Sequence, residues 1–180
     1  PAGGGAPLPA GGGHTYSPAR AEPPAGGGRA DAKGSLSGLS LETGPGHLVR
    51  ALCEGVAAQV VGLADAVAED TGTPLESLRV DGGLTRSDLL MQTQADLLQL
   101  PVEISPLPDA TALGVGAVAR LGLDPAMTVE RAAPRWRPRK VFEPRIGAAE
   151  AAERLGVFRT EVAALIARTP AGTDSGAGAA

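Results

Sequence analysis

Two consecutive glycines, Gly82 and Gly83, stand between the short apolar run Leu78-Arg79-Val80 and a segment with helical spacing. Without Cβ atoms, the main chain there can approach a ligand closely and take angles that other residues resist. A helix N-terminus adds N–H groups without intrahelical partners and a partial positive charge. Together they favour an anion, phosphate above all. Thr85 with Asp88 three residues on matches a capping box and sets the expected helix start at Thr85. Taken alone the pattern is common, and most strand–Gly-Gly–helix turns hold nothing. The better-known phosphate loops are absent: there is no Gly-x-x-x-x-Gly-Lys-Ser/Thr, and no Gly-x-Gly-x-x-Gly follows a strand.

Other chemistry-bearing residues are scattered. Asp81 reads either as a base or as an acceptor for N–H groups of the turn, and the second role is preferred. His14 has no cluster partner for a metal. His47 reads as a helix-start residue near the surface. Cys53 sits mid-helix among apolar residues and reads as a small buried hydrophobe. Gln92, Gln94 and Asp96 read as a solvated or interdomain polar face. Thr111 reads as a helix-start and packing residue. Arg135, Arg137, Arg139 and Lys140 surround Trp136. One aromatic in an acidic chain is a poor nucleic-acid site.

The elements that must position these residues follow from periodicity. Leu48, Leu52, Val56, Val60, Leu63 and Val67 make an apolar stripe, so His47 to Glu69 is expected to be a helix. Gly72, Thr73 and Pro74 break it. Leu78–Val80 and Pro101–Ser105 are expected strands. Thr85–Leu98 is an expected helix. Another is expected from an N-cap at Asp109 to Arg120, rich in small residues that let neighbours approach. The proline-interrupted Arg131–Arg145 is expected to run extended over the surface. Ala148–Ala167 is the last expected helix. The order α-β-α-β-α implies α/β packing with parallel strands. Two strands do not make a stable sheet, so the chain reads as part of a larger domain.

Pro1 to Ala30 is Gly/Pro-rich and is expected to be disordered, as is the tail from Thr169 to Ala180. Residues 31–168 are the expected domain. A chain opening on Pro1 is expected to be a piece of something longer. The net charge of -4 gives no general case for nucleic acid or an anionic membrane surface. The single cysteine excludes an internal disulfide framework and fits a reducing compartment. No unbroken apolar run approaches the roughly 18 residues of a membrane span.

The ordered motifs "DAKGSLSGLS" from Asp31, "RVDGG", "LMQTQAD", "DATALG" and the closing "RKVFEPRIGAAEAAERLGVFRTEVAALI" resemble the C-terminal half of FGGY-family carbohydrate kinases, and within them the glycerol kinases. The resemblance covers Asp31 to Arg168. It implies a partial actin-like (ribonuclease H-like) ATPase domain of α/β class. It implies transfer of the ATP γ-phosphoryl group to a polyol or sugar hydroxyl, with Mg²⁺. On it, Gly82 and Gly83 lie against the nucleotide, and Ser87 stands where these kinases often carry a nucleotide-contacting asparagine.

The family's base is an aspartate of the N-terminal domain. Its first phosphate loop, an Asp-x-Gly-Thr turn, lies there too. Neither precedes Asp31 here, so the isolated chain is expected to be inactive, with no catalytic residue of its own. The implied partners are the missing N-terminal kinase domain, ATP or ADP, and a polyol or sugar. Nucleic acid and membrane are not implied, and the implied compartment is the cytoplasm. The alternative is a non-catalytic remnant or interaction module that keeps the fold without binding ATP.

Overall fold

The computed structural model describes residues 15–17, 34–107, 110–132 and 135–168. The expected tail from Thr169, the expected N-cap Asp109, His14 and nearly all of Pro1–Ala30 lie outside the described residues.

Helix α1 (Pro45–Thr71) starts where the sequence allows it. Proline at the first helical position lacks an N–H that would have no intrahelical partner anyway. His47 folds back so that its Nδ1 accepts the Gly44 N–H at 3.1 Å. The helix stops where Gly72 turns left-handed at φ 65. Its buried face differs from the expected stripe. Leu52, Leu63 and Val67 are exposed, while Ala51, Gly55, Ala57, Ala58 and Val61 are buried. Three elements close on α1: the strand β1 (Thr15–Ser17) and the helices α2 (Asp88–Leu98) and α5 (Ala148–Arg168). Residues without bulk permit that approach, and the larger side chains splay to the margins. Over 18 residues α1 has mean hydropathy 1.5, long and apolar enough by length and composition to cross a membrane. Arg50, Glu54 and Asp65 lie along it, and its Ala51, Gly55, Ala57, Ala58 and Val61 are buried.

Strand β1 falls inside the stretch expected to lack structure. It pairs antiparallel with β2 (Ser35–Ser37), Tyr16 opposite Leu36. Thr-Tyr-Ser is a good strand sequence, and composition averaged over the glycines around it hides that.

The sheet contains β3 (Leu78–Val80), β4 (Val102–Ile104) and β5 (Lys140–Phe142), in the order β3-β4-β5. Leu78 lies opposite Val102 in the expected parallel pairing. β5 was expected only as extended surface chain. It pairs antiparallel with β4 instead and buries Phe142. Pro138 and Pro144 cannot donate to a ladder, so they confine this strand to three residues. Above the sheet, α2 contributes Leu90, Met91 and Ala95 to a core with Val102, Ile104 and Phe142. A second core joins Ala57, Ala58 and Val61 of α1 to Leu97 and Leu155. Burying each large side chain contributes about 1.5–3 kcal/mol.

The expected polar face of α2 is a clasp instead. The Gln92 amide nitrogen donates to Asp96 at 2.9 Å and to the Glu143 carbonyl at 2.8 Å. The Asp96 carboxylate also accepts the Arg145 N–H at 2.7 Å. These bonds fasten the chain leaving β5 to α2. Gln94 is buried rather than solvated. Helix α3 (Ala110–Leu123) buries no residue. The small residues expected to bring neighbours close meet only the short α4 (Val129–Ala132) as a principal packing partner.

Two stability outcomes follow. A Cβ at Gly55 would overlap the Tyr16 carbonyl oxygen, whereas at Gly62 it meets nothing within 4 Å. Helix propensity favours alanine at both by about 1 kcal/mol. The overlap at Gly55 should outweigh that, since overpacking costs about 1–3 kcal/mol. Urea unfolding should therefore show Gly55→Ala destabilised and Gly62→Ala stabilised. Asp96→Ala should lose about 2 kcal/mol in the same assay, because it strips acceptors from two donors of the clasp.

Candidate functional site

The site begins where β3 ends. Gly82 takes φ 93 and ψ -177, a region that is essentially glycine-only and costs other residues about 1–3 kcal/mol. Gly83 then opens a 3₁₀ turn, Gly83–Arg86. Thr85 is buried beneath it. Its N–H and its hydroxyl both donate to the Gly82 carbonyl, at 3.2 and 2.7 Å.

This differs from the expected capping box. With its hydroxyl on Gly82, Thr85 does not cap α2, and the Asp88 carboxylate pairs with Lys140 Nζ at 2.7 Å. The helix starts at Asp88, after an extended break at Ser87 (φ -88, ψ 97). Ser87 is the cap: its Oγ accepts the Leu90 N–H at 3.2 Å. Its own hydroxyl hydrogen remains able to donate, since a hydroxyl is both donor and acceptor.

The glycines face outward. No heavy atom lies within 4 Å of a Cβ built on either Gly82 or Gly83. Asp81, Gly82, Gly83 and Leu84 are all exposed. The N–H groups of Gly83 and Leu84 donate to nothing among the described residues. The surface is therefore main chain with free donors, backed by a buried fastening, and Leu84 offers an apolar margin. A flat ring or a phosphate oxygen can approach such a surface; a side chain at position 83 would stand in the way.

Asp81 is a structural acceptor, but its partner lies in α3 rather than among the N–H groups of the turn. Its Oδ2 accepts the Ala110 N–H at 3.2 Å and so holds the first turn of α3. Thr111, in the same turn, is exposed rather than packed as expected. Cys53 packs half-buried against the sheet core. Burial, and then the charge of Glu54, push its thiol up from the ordinary value. The basic run does not form a stacking platform. The Trp136 indole N–H donates to Glu103 of β4, and the Arg79 guanidinium lies 4.8 Å from the centre of its ring. No three His, Cys, Asp or Glu residues converge on a metal position among the described residues. Sequence reasoning missed the support given by Thr85. Its signal was present, a hydroxyl three residues after a glycine carbonyl, but the same spacing also fits a helix cap.

Comparison with known proteins gives this geometry a context. The model of the "FGGY family of carbohydrate kinases, C-terminal domain" matches residues 6–122. It therefore begins 25 residues before Asp31, within the Gly/Pro-rich stretch. Glycerol kinase of Aromatoleum aromaticum is 45% identical over 113 residues, covering 63% of this chain and 23% of that protein. Glycerol kinase of Verminephrobacter eiseniae is 38% identical over 142 residues, covering 77% and 28%. Among solved structures, Plasmodium falciparum glycerol kinase with ADP aligns at TM-score 0.71 and 27% identity, over 86% of this chain and 31% of that one. A xylulose kinase from Rhodospirillum rubrum aligns at TM-score 0.60 and 32% identity, over 76% and 27%. The chain thus spans about a quarter to a third of the length of these relatives. The mixed α/β architecture, an actin-like ATPase fold in part, and the matched motifs agree: the chain belongs to the FGGY family of carbohydrate kinases, as a C-terminal domain.

Proposed function

We propose that the chain is the ATP-binding portion of a glycerol kinase-like enzyme that transfers the γ-phosphoryl group of ATP to a polyol or sugar hydroxyl. The observation that carries this reading is the open turn at Gly82-Gly83, with open space around the Cβ positions and Gly83 and Leu84 N–H groups that bond to nothing among the described residues. The family membership and a relative solved with ADP support the same ligand. Gly83 lies against the nucleotide, and Ser87 donates its hydroxyl hydrogen to it while keeping the Leu90 cap. Serine is shorter than asparagine and brings one donor rather than an amide, so its contribution is smaller.

Phosphoryl transfer depends on positioning and on neutralising charge, with a group to accept the substrate hydroxyl proton. When bound, Mg²⁺ neutralises phosphate charge; its ligands come from the phosphates and from groups beyond the described residues. The same holds for the base. The carboxylate nearest the glycines, Asp81, is committed to the first turn of α3. The polyol site and the base belong to the remainder of the kinase, which works with this part in the cytoplasm.

The isolated chain should therefore show no glycerol-dependent ATP consumption; turnover by a pure preparation refutes the assignment of the base elsewhere. The nucleotide role is read in a chimaera in which this chain replaces the matched segment of the Aromatoleum aromaticum enzyme. There Gly83→Val should raise the KM for ATP at least roughly tenfold, as loss of a close main-chain approach does. The KM for glycerol should change by less than about twofold. Equal effects on both overturn the reading, and a chimaera that binds no ADP favours the non-catalytic remnant.

A further inference from the structure

We infer that the Thr85 hydroxyl is a positioning group for the nucleotide: it fixes which way the Gly82–Gly83 peptide faces, and so turns the Gly83 N–H outward as a donor. This rests on the kinase reading above.

The first observation is where the carbonyl goes. The Gly82 oxygen accepts the Thr85 hydroxyl at 2.7 Å and the Thr85 N–H at 3.2 Å. Thr85 is buried, so that oxygen faces the interior side of the turn. The second is the peptide plane. No cis peptide bond occurs among the described residues. In a planar trans unit the C=O and the following N–H point in opposite directions. The Gly83 N–H shares its plane with the Gly82 carbonyl, so holding one inward holds the other outward. Accordingly it has no partner among the described residues. The third is what glycine permits. A peptide unit flanked by two glycines can turn over with no Cβ to resist. Nothing lies within 4 Å of where a Cβ would stand on either residue. Turned over, the unit presents its carbonyl oxygen, which repels a phosphate instead of binding it.

The two glycines therefore leave this peptide free to face either way, and a side chain three residues on makes the choice. The Thr85 N–H bond belongs to the 3₁₀ turn and survives any substitution but proline. The hydroxyl bond is the shorter of the two, and residue type alone decides it. Valine matches threonine in shape and lacks the donor, whereas serine keeps the donor and loses a methyl group. Thr85 lies beneath the turn and touches no ligand there, so its part is to position Gly83. Apparent affinity falls with the fraction of molecules in the competent arrangement. Losing one neutral hydrogen bond shifts such a balance about fivefold.

A soluble paramagnetic chelate broadens amide protons that face solvent, so it reads the direction of the Gly83 N–H in this chain without nucleotide. The wild-type and Thr85→Ser amides should broaden as strongly as that of the exposed Leu84. Thr85→Val should show about half that broadening or less. ADP affinity is read in the same chimaera. There Thr85→Val should raise the Kd for ADP about fivefold, and Thr85→Ser less than about twofold. The KM for glycerol should stay within about twofold in both. A wild-type Gly83 amide shielded from the chelate overturns the inference, whether or not the valine chain folds. So does a valine chain whose amide stays outward, an inward amide with unchanged ADP affinity, or serine no better than valine. A rise in the KM for glycerol equal to that in the Kd for ADP overturns it in favour of a merely structural role. A wild-type chimaera that binds no ADP, alongside a valine amide turned inward, sinks the kinase reading and leaves the hold of Thr85 on the peptide standing.

Discussion

The grip of Thr85 on the Gly82 carbonyl is the constraint on which the rest depends. The backbone at Gly82 is in a region other residues resist, and something must hold it there. Two donors from one buried residue do so, each contributing on the order of 1 kcal/mol. Because Thr85 is used this way, the 3₁₀ turn cannot run on into α2. The chain breaks at Ser87, restarts under a serine cap, and so aims Leu90, Met91 and Ala95 at the sheet. The outward face of the turn and the inward face of the core are thus set by one local arrangement.

Much of this was legible in the residues, for identifiable reasons. Pro45 and Gly72 are strong punctuation, and the limits of α1 came within two residues of expectation. The parallel pairing of β3 with β4 followed from a helix between two short apolar runs. Gly82 was visible because its φ of 93 is one that residues other than glycine rarely take. What stayed hidden was decided by competition between partners. Thr85 had two uses for one hydroxyl, and the carbonyl three residues back won over the helix end. Gln92 and Asp96 looked like a wet face because their partners, Glu143 and Arg145, lie about fifty positions away. β5 was masked by its prolines, which shorten a strand without forbidding it.

The face of α1 was misread for a different reason. A stripe of leucine and valine is the usual mark of a buried face, since large apolar groups gain most from burial. Here the buried side is mostly alanine and glycine, and the close approach of β1 to Gly55 shows why. When three elements converge on one helix, the distance between backbones becomes the limiting quantity, and bulk goes to the margins. Leu52, Leu63 and Val67 are then left outside. On α3, Leu113, Val115, Val118 and Leu123 are exposed as well.

The same division bears on how such a site works. A rigid turn with its donors already placed orders little on binding, so less of the interaction is spent on ordering. That rigidity comes from beneath, through Thr85 and the α2 core, and needs no second domain. Exclusion of water does need one, because the glycines lie on an open surface. Charge stabilisation of a transferring phosphoryl group is strong only where water is displaced and the local dielectric falls. On the proposed kinase reading, such a half-site would hold a nucleotide before the cleft is complete, and would stabilise the transition state only once another wall closed over it.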